Sequence, residues 1–258
     1  MPLSTIINLS DYPISSAVFR DDCRAKLNNT GALVLRDFLQ TATIESIRKE
    51  GKRQQHLAHF TKSNHNVYLT PAVKNYPPQH PRNREVTSSK GCITTDQIPQ
   101  ESALNTLYHS QQFQHFLCAV LDVDSLHEYA DPLSSINLHY ASEGQELGWH
   151  FDNSSFAITV LIEAPEQGGK FEYVKNLRTS SMDYNYDAVA AVLDGVTETE
   201  TLELQAGTLC LFRGQNSMHR VTPTIGNTTR MLAVLAYNTI PGVSLSESAR
   251  MTFYGRLG

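Results

Sequence analysis

In the second half of the chain, hydrophobic residues recur with a period of two or in short unbroken runs, each closed by a turn. Ser135-Ile136-Asn137-Leu138-His139-Tyr140 alternates in the manner of a half-buried strand. Phe156-Ala157-Ile158-Thr159-Val160-Leu161-Ile162 is short, apolar and rich in β-branched residues, which suits a strand buried on both faces. Glu166-Gln167-Gly168-Gly169 reads as a tight turn returning the chain into a strand at Lys170-Phe171-Glu172-Tyr173-Val174. Leu202-Glu203-Leu204 alternates, Ala206-Gly207 turns, and Thr208-Leu209-Cys210-Leu211-Phe212 is a second apolar strand. The loop Arg213-Gly214-Gln215-Asn216-Ser217 delivers His219 to a further strand that stops at Pro223. After a turn at Ile225-Gly226-Asn227, Arg230 opens an apolar strand running to Tyr237.

The first half has a different rhythm. Phe113, Phe116, Leu117, Val120 and Leu121 repeat at i, i+3, i+4, i+7, i+8, which predicts a helix laying one stripe on a core. Gly31–Leu35 is expected as a strand and Thr43–His59 as a helix. Residues 71–99, with Pro77-Pro78-Gln79-His80-Pro81-Arg82-Asn83-Arg84, are expected to form an irregular segment covering one mouth of a barrel. Residues 175–200 make a second insertion, with a small helix at Ala188–Leu193. The pattern as a whole predicts a mainly β fold with helical support. One domain is expected over residues 1–258, with support and cover in 1–130 and a β-barrel core in 131–240.

Composition sets limits. With 258 residues, 40% of them hydrophobic, the chain is long enough for one proper core. No basic-then-apolar leader opens it, and no run approaches the roughly 18 apolar residues of a membrane span. Cys23, Cys92, Cys118 and Cys210 are scattered without metal or disulfide spacing, so reduced thiols and a cytoplasmic protein are expected. A net charge of −5 argues against a nucleic-acid surface. The one basic cluster, Arg48, Lys49, Lys52 and Arg53, reads as the solvated face of a helix.

The chemistry concentrates at His150-Phe151-Asp152, His219 and Arg230. His-x-Asp on an extended segment puts two side chains on one face. A second His from a distant strand then completes two imidazoles and one carboxylate on one face of an octahedron. That arrangement leaves three positions open and is the iron(II) site of oxygen-activating enzymes. A lone His-x-Asp pair is weak evidence, and the ordered strands around it raise the odds. Arg230 enters an apolar strand with no protein carboxylate assigned to it. An unpaired buried charge is costly, and a dicarboxylate would meet its forked guanidinium.

The order strand, His-x-Asp, strand, Gly-Gly turn, strand, Gly-x-Leu-x-x-Phe, His, Arg resembles the iron(II)/2-oxoglutarate-dependent oxygenases over roughly residues 130–240. The resemblance implies a double-stranded β-helix, a jelly-roll or cupin-like barrel with N-terminal helices. It implies that His150, Asp152 and His219 hold Fe(II), that Arg230 binds the distal carboxylate of the cosubstrate 2-oxoglutarate, and that O2 is the oxidant. Tyr140 matches the tyrosine that helps hold the cosubstrate in the prolyl-hydroxylase-like branch. The segments Gly148-Trp149-His150-Phe151-Asp152-Asn153-Ser154-Ser155-Phe156 and Gly168–Tyr173 look similar to the radical halogenases acting on free amino acids, notably lysine, and to their hydroxylase relatives. Those halogenases carry Gly at the metal-binding Asp position, opening a site for chloride. Asp152 therefore argues for hydroxylation.

Three functions stand at this point: a hydroxylase of a free amino acid, with lysine the expected substrate; the same chemistry on a peptide, a carrier-bound amino acid or another metabolite; or a non-catalytic binding barrel. A lysine pocket needs one basic group and some carboxylates or amides. The candidates are Asn153 beside the ligand Asp152, Arg82 or Arg84 for the α-carboxylate, and Glu128 or Asp131 for an ammonium. His56 and His59 read as a solvated helix face, His139 as structural, and Gly168-Gly169 as a turn, since no helix N-terminus follows it.

Overall fold

The computed structural model describes all 258 residues. Its first half contains α1 (Ala17–Thr30), β1 (Ala32–Leu35), α2 (Thr41–Gln54), β2 (His59–Asn66), β3 (Glu85–Ile93), α3 (Ala103–Tyr108) and α4 (Gln111–Leu121). Then follow β4 (Ile136–Ala141), β5 (Leu147–His150), β6 (Ala157–Glu163), β7 (Gln167–Gly168), β8 (Phe171–Val174) and α5 (Tyr186–Leu193). The chain ends with β9 (Glu200–Leu202), β10 (Leu209–Phe212), β11 (Met218–Val221), β12 (Thr224–Ile225), β13 (Arg230–Leu235) and α6 (Glu247–Tyr254).

One antiparallel wall runs β1-β10-β6-β13-β4-β3, and a second runs β5-β11-β8-β9. β3 joins them, because Gly91, Cys92 and Ile93 pair with β4 while Ser88 pairs with Leu147 of β5. β2 lies along the other edge of β3, and β7 and β12 form a separate ribbon. The free ends of the two walls meet where Ala32 packs with Tyr173, Phe212 and Leu202. The result is a nearly closed jelly-roll barrel, as expected.

The first wall has two unlike faces. Ile136, Leu138, Tyr140, Met231, Ala233 and Leu235 point outward into the main core, where Leu27, Ile47, Leu104, Phe113 and Phe116 of the helices meet them. Asn137, His139, Ala141, Arg230 and Leu232 occupy the alternate positions and face inward, as the β4–β13 register requires. The stripe foreseen on α4 is fully buried, and the Ser110 side chain caps that helix by accepting from the Phe113 N–H. At one end of the inner face the Tyr254 hydroxyl of α6 donates to Asn137 Oδ1 at 3.0 Å. No helix is long and apolar enough to cross a membrane.

Two expectations need correction. The helix placed at Thr43–His59 ends at Gln54, and after one tight turn the chain enters β2 at His59. Residues 71–99 are not irregular throughout, because Glu85–Ile93 is the strand that joins the two walls. Thr87-Ser88-Ser89-Lys90 carries no apolar alternation because its inward side faces a polar interior, and β2 is polar because it is a largely exposed edge strand. The barrel therefore recruits β1, β2 and β3 from the first hundred residues.

Truncating the α4 stripe tests the core. Phe116→Ala should cost about 3–5 kcal/mol through lost burial and the cavity left behind. Guanidinium unfolding followed by circular dichroism should show a lowered midpoint with an unchanged slope.

Candidate metal centre

His150 closes β5 directly opposite His219 of β11, and their ring centroids are 4.1 Å apart. Past the strand end, the Phe151 N–H donates to Val67 O and the Asp152 N–H to Gly214 O at 3.0 Å. These bonds turn the Asp152 carboxylate back toward the two rings. Asp152 Oδ1 lies 3.6 Å from His150 Nε2 and 3.5 Å from His219 Nε2. The three ligand atoms fall within 4.8 Å of one another.

Backbone carbonyls fix which ring nitrogens are bare. His150 Nδ1–H donates to Gly148 O at 2.8 Å, and His219 Nδ1–H donates to Ser217 O at 3.0 Å. Both Nε2 atoms are thereby left as lone-pair donors, the tautomer a metal ligand needs. Burial, reinforced by His219, pushes the His150 imidazole toward its neutral form. Burial opposes ionisation of Asp152, but the adjacent His219 and His150 outweigh it and hold the carboxyl below its ordinary range. Asp152 Oδ2 is buried without any hydrogen-bond partner. Gly214 makes this possible, since a Cβ there would overlap Oδ2 and stand 2.6 Å from Cγ. The His219 ring is stacked on Phe171, with Phe212 at its edge. Two bare nitrogens with a carboxylate whose Oδ1 lies beside both make the donor set that would hold a divalent metal ion.

A chain of bonds supports His150 from behind. The Gly148 N–H donates to Ser88 Oγ at 3.0 Å, and Ser88 Oγ lies 2.7 Å from His65 Nε2. His65 Nδ1–H donates to Asn66 O, so its Nε2 accepts the Ser88 proton.

Arg230 is 6% exposed and makes no ion pair or side-chain hydrogen bond. Burial lowers its pKa to about 10. The Gly168-Gly169 turn presses against its stem: a Cβ on Gly169 would stand 3.0 Å from Arg230 Cδ. Tyr140 does not join it. That side chain faces the helices, and its hydroxyl donates to Gly51 O of α2 at 2.8 Å. His139, expected to be merely structural, faces the interior instead. Lys90, which sequence reasoning missed, lies with its Nζ 3.2 Å from His139 Nδ1. Burial drives both groups toward their neutral forms, His139 well below its ordinary range. The outward phase of Ile136, Leu138 and Tyr140 was a signal that could have found His139.

The substrate candidates scatter. Arg82 is wedged between Tyr68 and Tyr184, its Cζ 6.0 and 5.8 Å from the ring centroids, and donates to Pro71 O. Tyr68 in turn stacks on Phe151, between the two ligands of the His-x-Asp segment. Arg84 is committed elsewhere, pairing with Asp194 and donating to Leu193 O, and so clasps the cover segment to α5. Glu128 is exposed and accepts from His109. Asp131 accepts from Leu133 N–H, Ser134 Oγ–H and Leu245 N–H and ties its own turn. Asn153 is exposed beside Asp152, its side chain without a partner and its carbonyl accepting from Gln215. Arg178, also missed, covers the Phe151 ring at 4.0 Å and donates to Gln215 O, pinning two ligand loops together.

A family model described as HalD, Halogenase D, matches residues 19–251. No curated protein matches the chain. Among solved structures, a 2OG-Fe(II) oxygenase family oxidoreductase from Burkholderia pseudomallei aligns over 87% of this chain and 93% of its own, at 12% identity and a TM-score of 0.53. The epimerase SnoN in complex with Fe3+, alpha ketoglutarate and nogalamycin RO aligns over 90% and 93%, at 8% identity and a TM-score of 0.59. HygX from Streptomyces hygroscopicus, with nickel, 2-oxoglutarate and hygromycin B bound, aligns over 87% and 89%, at 14% identity and a TM-score of 0.56. The fold is thus that of Fe(II)/2-oxoglutarate oxygenases.

Purified protein should take up about one Fe(II), with affinity lowered at least about tenfold in His150→Ala and His219→Ala, as loss of a ligand requires. Undiminished uptake in both variants, read by anaerobic titration, would remove the triad. Tyr140→Phe separates the two faces of β4. It should cost about 1 kcal/mol of stability by leaving Gly51 O short of a donor, with affinity for 2-oxoglutarate unaltered by isothermal titration.

Proposed function

The chain belongs to the Halogenase D family, and on that premise we propose that it is an Fe(II)/2-oxoglutarate-dependent hydroxylase of an unactivated C–H bond in a free amino acid, with L-lysine the expected substrate. The observation that carries the reaction type is Asp152. The halogenases it resembles have Gly at this position, whereas here a carboxylate oxygen, Asp152 Oδ1, stands within 3.6 Å of two bare imidazole nitrogens. The donors fit iron(II): His150, His219 and Asp152 would hold it, and Arg230 would hold the distal carboxylate of 2-oxoglutarate. With both bound, oxidative decarboxylation of the cosubstrate by O2 supplies the oxidant for hydroxylation, with succinate and CO2 as products.

The chain's own groups do the positioning. Gly148 O and Ser217 O hold the two imidazoles in one tautomer and orientation. Phe171 and Phe212 wall His219 against water. Asp152 fills the position a halide would need. Substrate recognition falls to the mouth where the cover segment meets the 175–200 insertion. Asn153 offers a free amide there, and Arg82, with donors beyond its bond to Pro71 O, is the cation for an α-carboxylate. Arg84, Glu128 and Asp131 are spoken for by Asp194, His109 and the turn at Leu133-Ser134 respectively.

The test is mass spectrometry of a free amino-acid panel incubated with the protein, Fe(II), 2-oxoglutarate and excess chloride. Lysine should gain one oxygen and no chlorine, with succinate formed in step. Chlorinated product would overturn the role given to Asp152. Turnover confined to peptides or carrier-bound amino acids would discard free lysine and keep the iron chemistry.

A further inference from the structure

Lys90 and Arg230 face the same interior from the two strands that flank β4. The register sets Arg230 opposite Ala141 and Gly91 opposite Tyr140, so Lys90 falls one step on, across Ala141 from Arg230. Alanine at the middle position leaves room for two long side chains to converge above it. Neither cation has a carboxylate partner. Arg230 makes no polar side-chain contact, and Lys90 contacts His139 alone. The carboxylate whose charge reaches Lys90 is Asp152, and its Oδ1 belongs to the metal site. His139, kept neutral by burial and by the two cations, accepts from Lys90 Nζ and steadies it instead of repelling it.

A buried guanidinium and a half-buried ammonium without an anion are costly. A ligand carrying carboxylate charge at that spot would relieve both. We propose that Lys90 is a second cationic contact for the cosubstrate, donating to the carboxylate end that Arg230 holds, with His139 as its positioning residue. This rests on the reading of the site as a 2-oxoglutarate site. The two cations divide the labour by shape: the guanidinium grips as a flat fork and the ammonium approaches as a point charge.

Equilibrium binding tests it without turnover. Protein loaded with Mn(II) under anaerobic conditions is titrated calorimetrically with 2-oxoglutarate and with 2-oxobutyrate, which lacks the distal carboxylate. Lys90→Met should weaken 2-oxoglutarate about tenfold or more, the effect expected of a charged hydrogen bond, and leave 2-oxobutyrate unchanged. Lys90→Arg should recover most of the loss. Mn(II) affinity and the circular dichroism spectrum serve as fold controls, and if Lys90→Met fails them, the comparison of Lys90→Arg and Lys90→Gln decides. Equal affinity for 2-oxoglutarate in wild type and Lys90→Met, with Arg230→Ala impaired, would overturn the inference and leave the site reading intact. Wild type that fails to bind 2-oxoglutarate at all would overturn both.

Discussion

Strand alternation in the first wall of the barrel is the constraint on which the rest of the molecule depends. Each strand there must feed an apolar core on one face and a polar cavity on the other, and the period of two leaves no freedom between them. A one-residue slip of β13 would drive Arg230 among the helices and turn Met231 and Ala233 inward. Burying Met231 is worth about 1.5–3 kcal/mol, while an unpaired guanidinium in a hydrocarbon core costs considerably more. The helices that pack on Ile136, Leu138, Met231 and Leu235 therefore set the register that brings Arg230 to the cavity. The same burial that folds the protein aims its chemistry.

Electrostatically the interior is unfinished. The Nδ1 atoms of His150 and His219 are engaged by backbone carbonyls, Asp152 keeps one oxygen without a partner, and two cations face the same interior without an anion. Each of these is a cost borne by the folded chain. A dication among the first three and a dianion among the cations remove the costs together, so ligand binding and folding stability are coupled. The bonds from His65 through Ser88 to Gly148 extend that coupling into β2, at the edge of the sheet.

Much of this was legible in the chain. The apolar runs at Phe156–Ile162, Thr208–Phe212 and Met231–Tyr237 gave the barrel, and the His150, Asp152, His219 and Arg230 order gave the site. β3 escaped because a strand lining a polar cavity needs no hydrophobic face, and Thr87-Ser88-Ser89-Lys90 has none; β2 escaped because it is a largely exposed edge strand. Tyr140 was misplaced by following a resemblance over the phase of its own strand: Ile136, Leu138 and Tyr140 share one face, which leaves His139 to the cavity. Glu128, Asp131 and Arg84 were chosen by charge and approximate position, and neither reveals which loop a side chain is already tying down. The pairing of Lys90 with His139 joins positions far apart in the chain and follows only from the register of β3 on β4.

Gly214 carries a consequence for how such a site can diverge. Its missing side chain is the space that the Asp152 carboxylate occupies, so the two positions compete for one volume. While Asp152 is present, any larger residue at 214 meets the carboxylate head-on and is rejected. Once 152 shrinks, that rejection is lifted, and a Cβ at 214 then has His219 Cε1, at 3.0 Å, as the nearest atom to press against. Substitutions at the pair are thus accepted in one order and not the other. A lineage that had first lost the carboxylate and then filled position 214 could not regain the carboxylate by a single reversal: the loop would act as a ratchet on the chemistry of the metal.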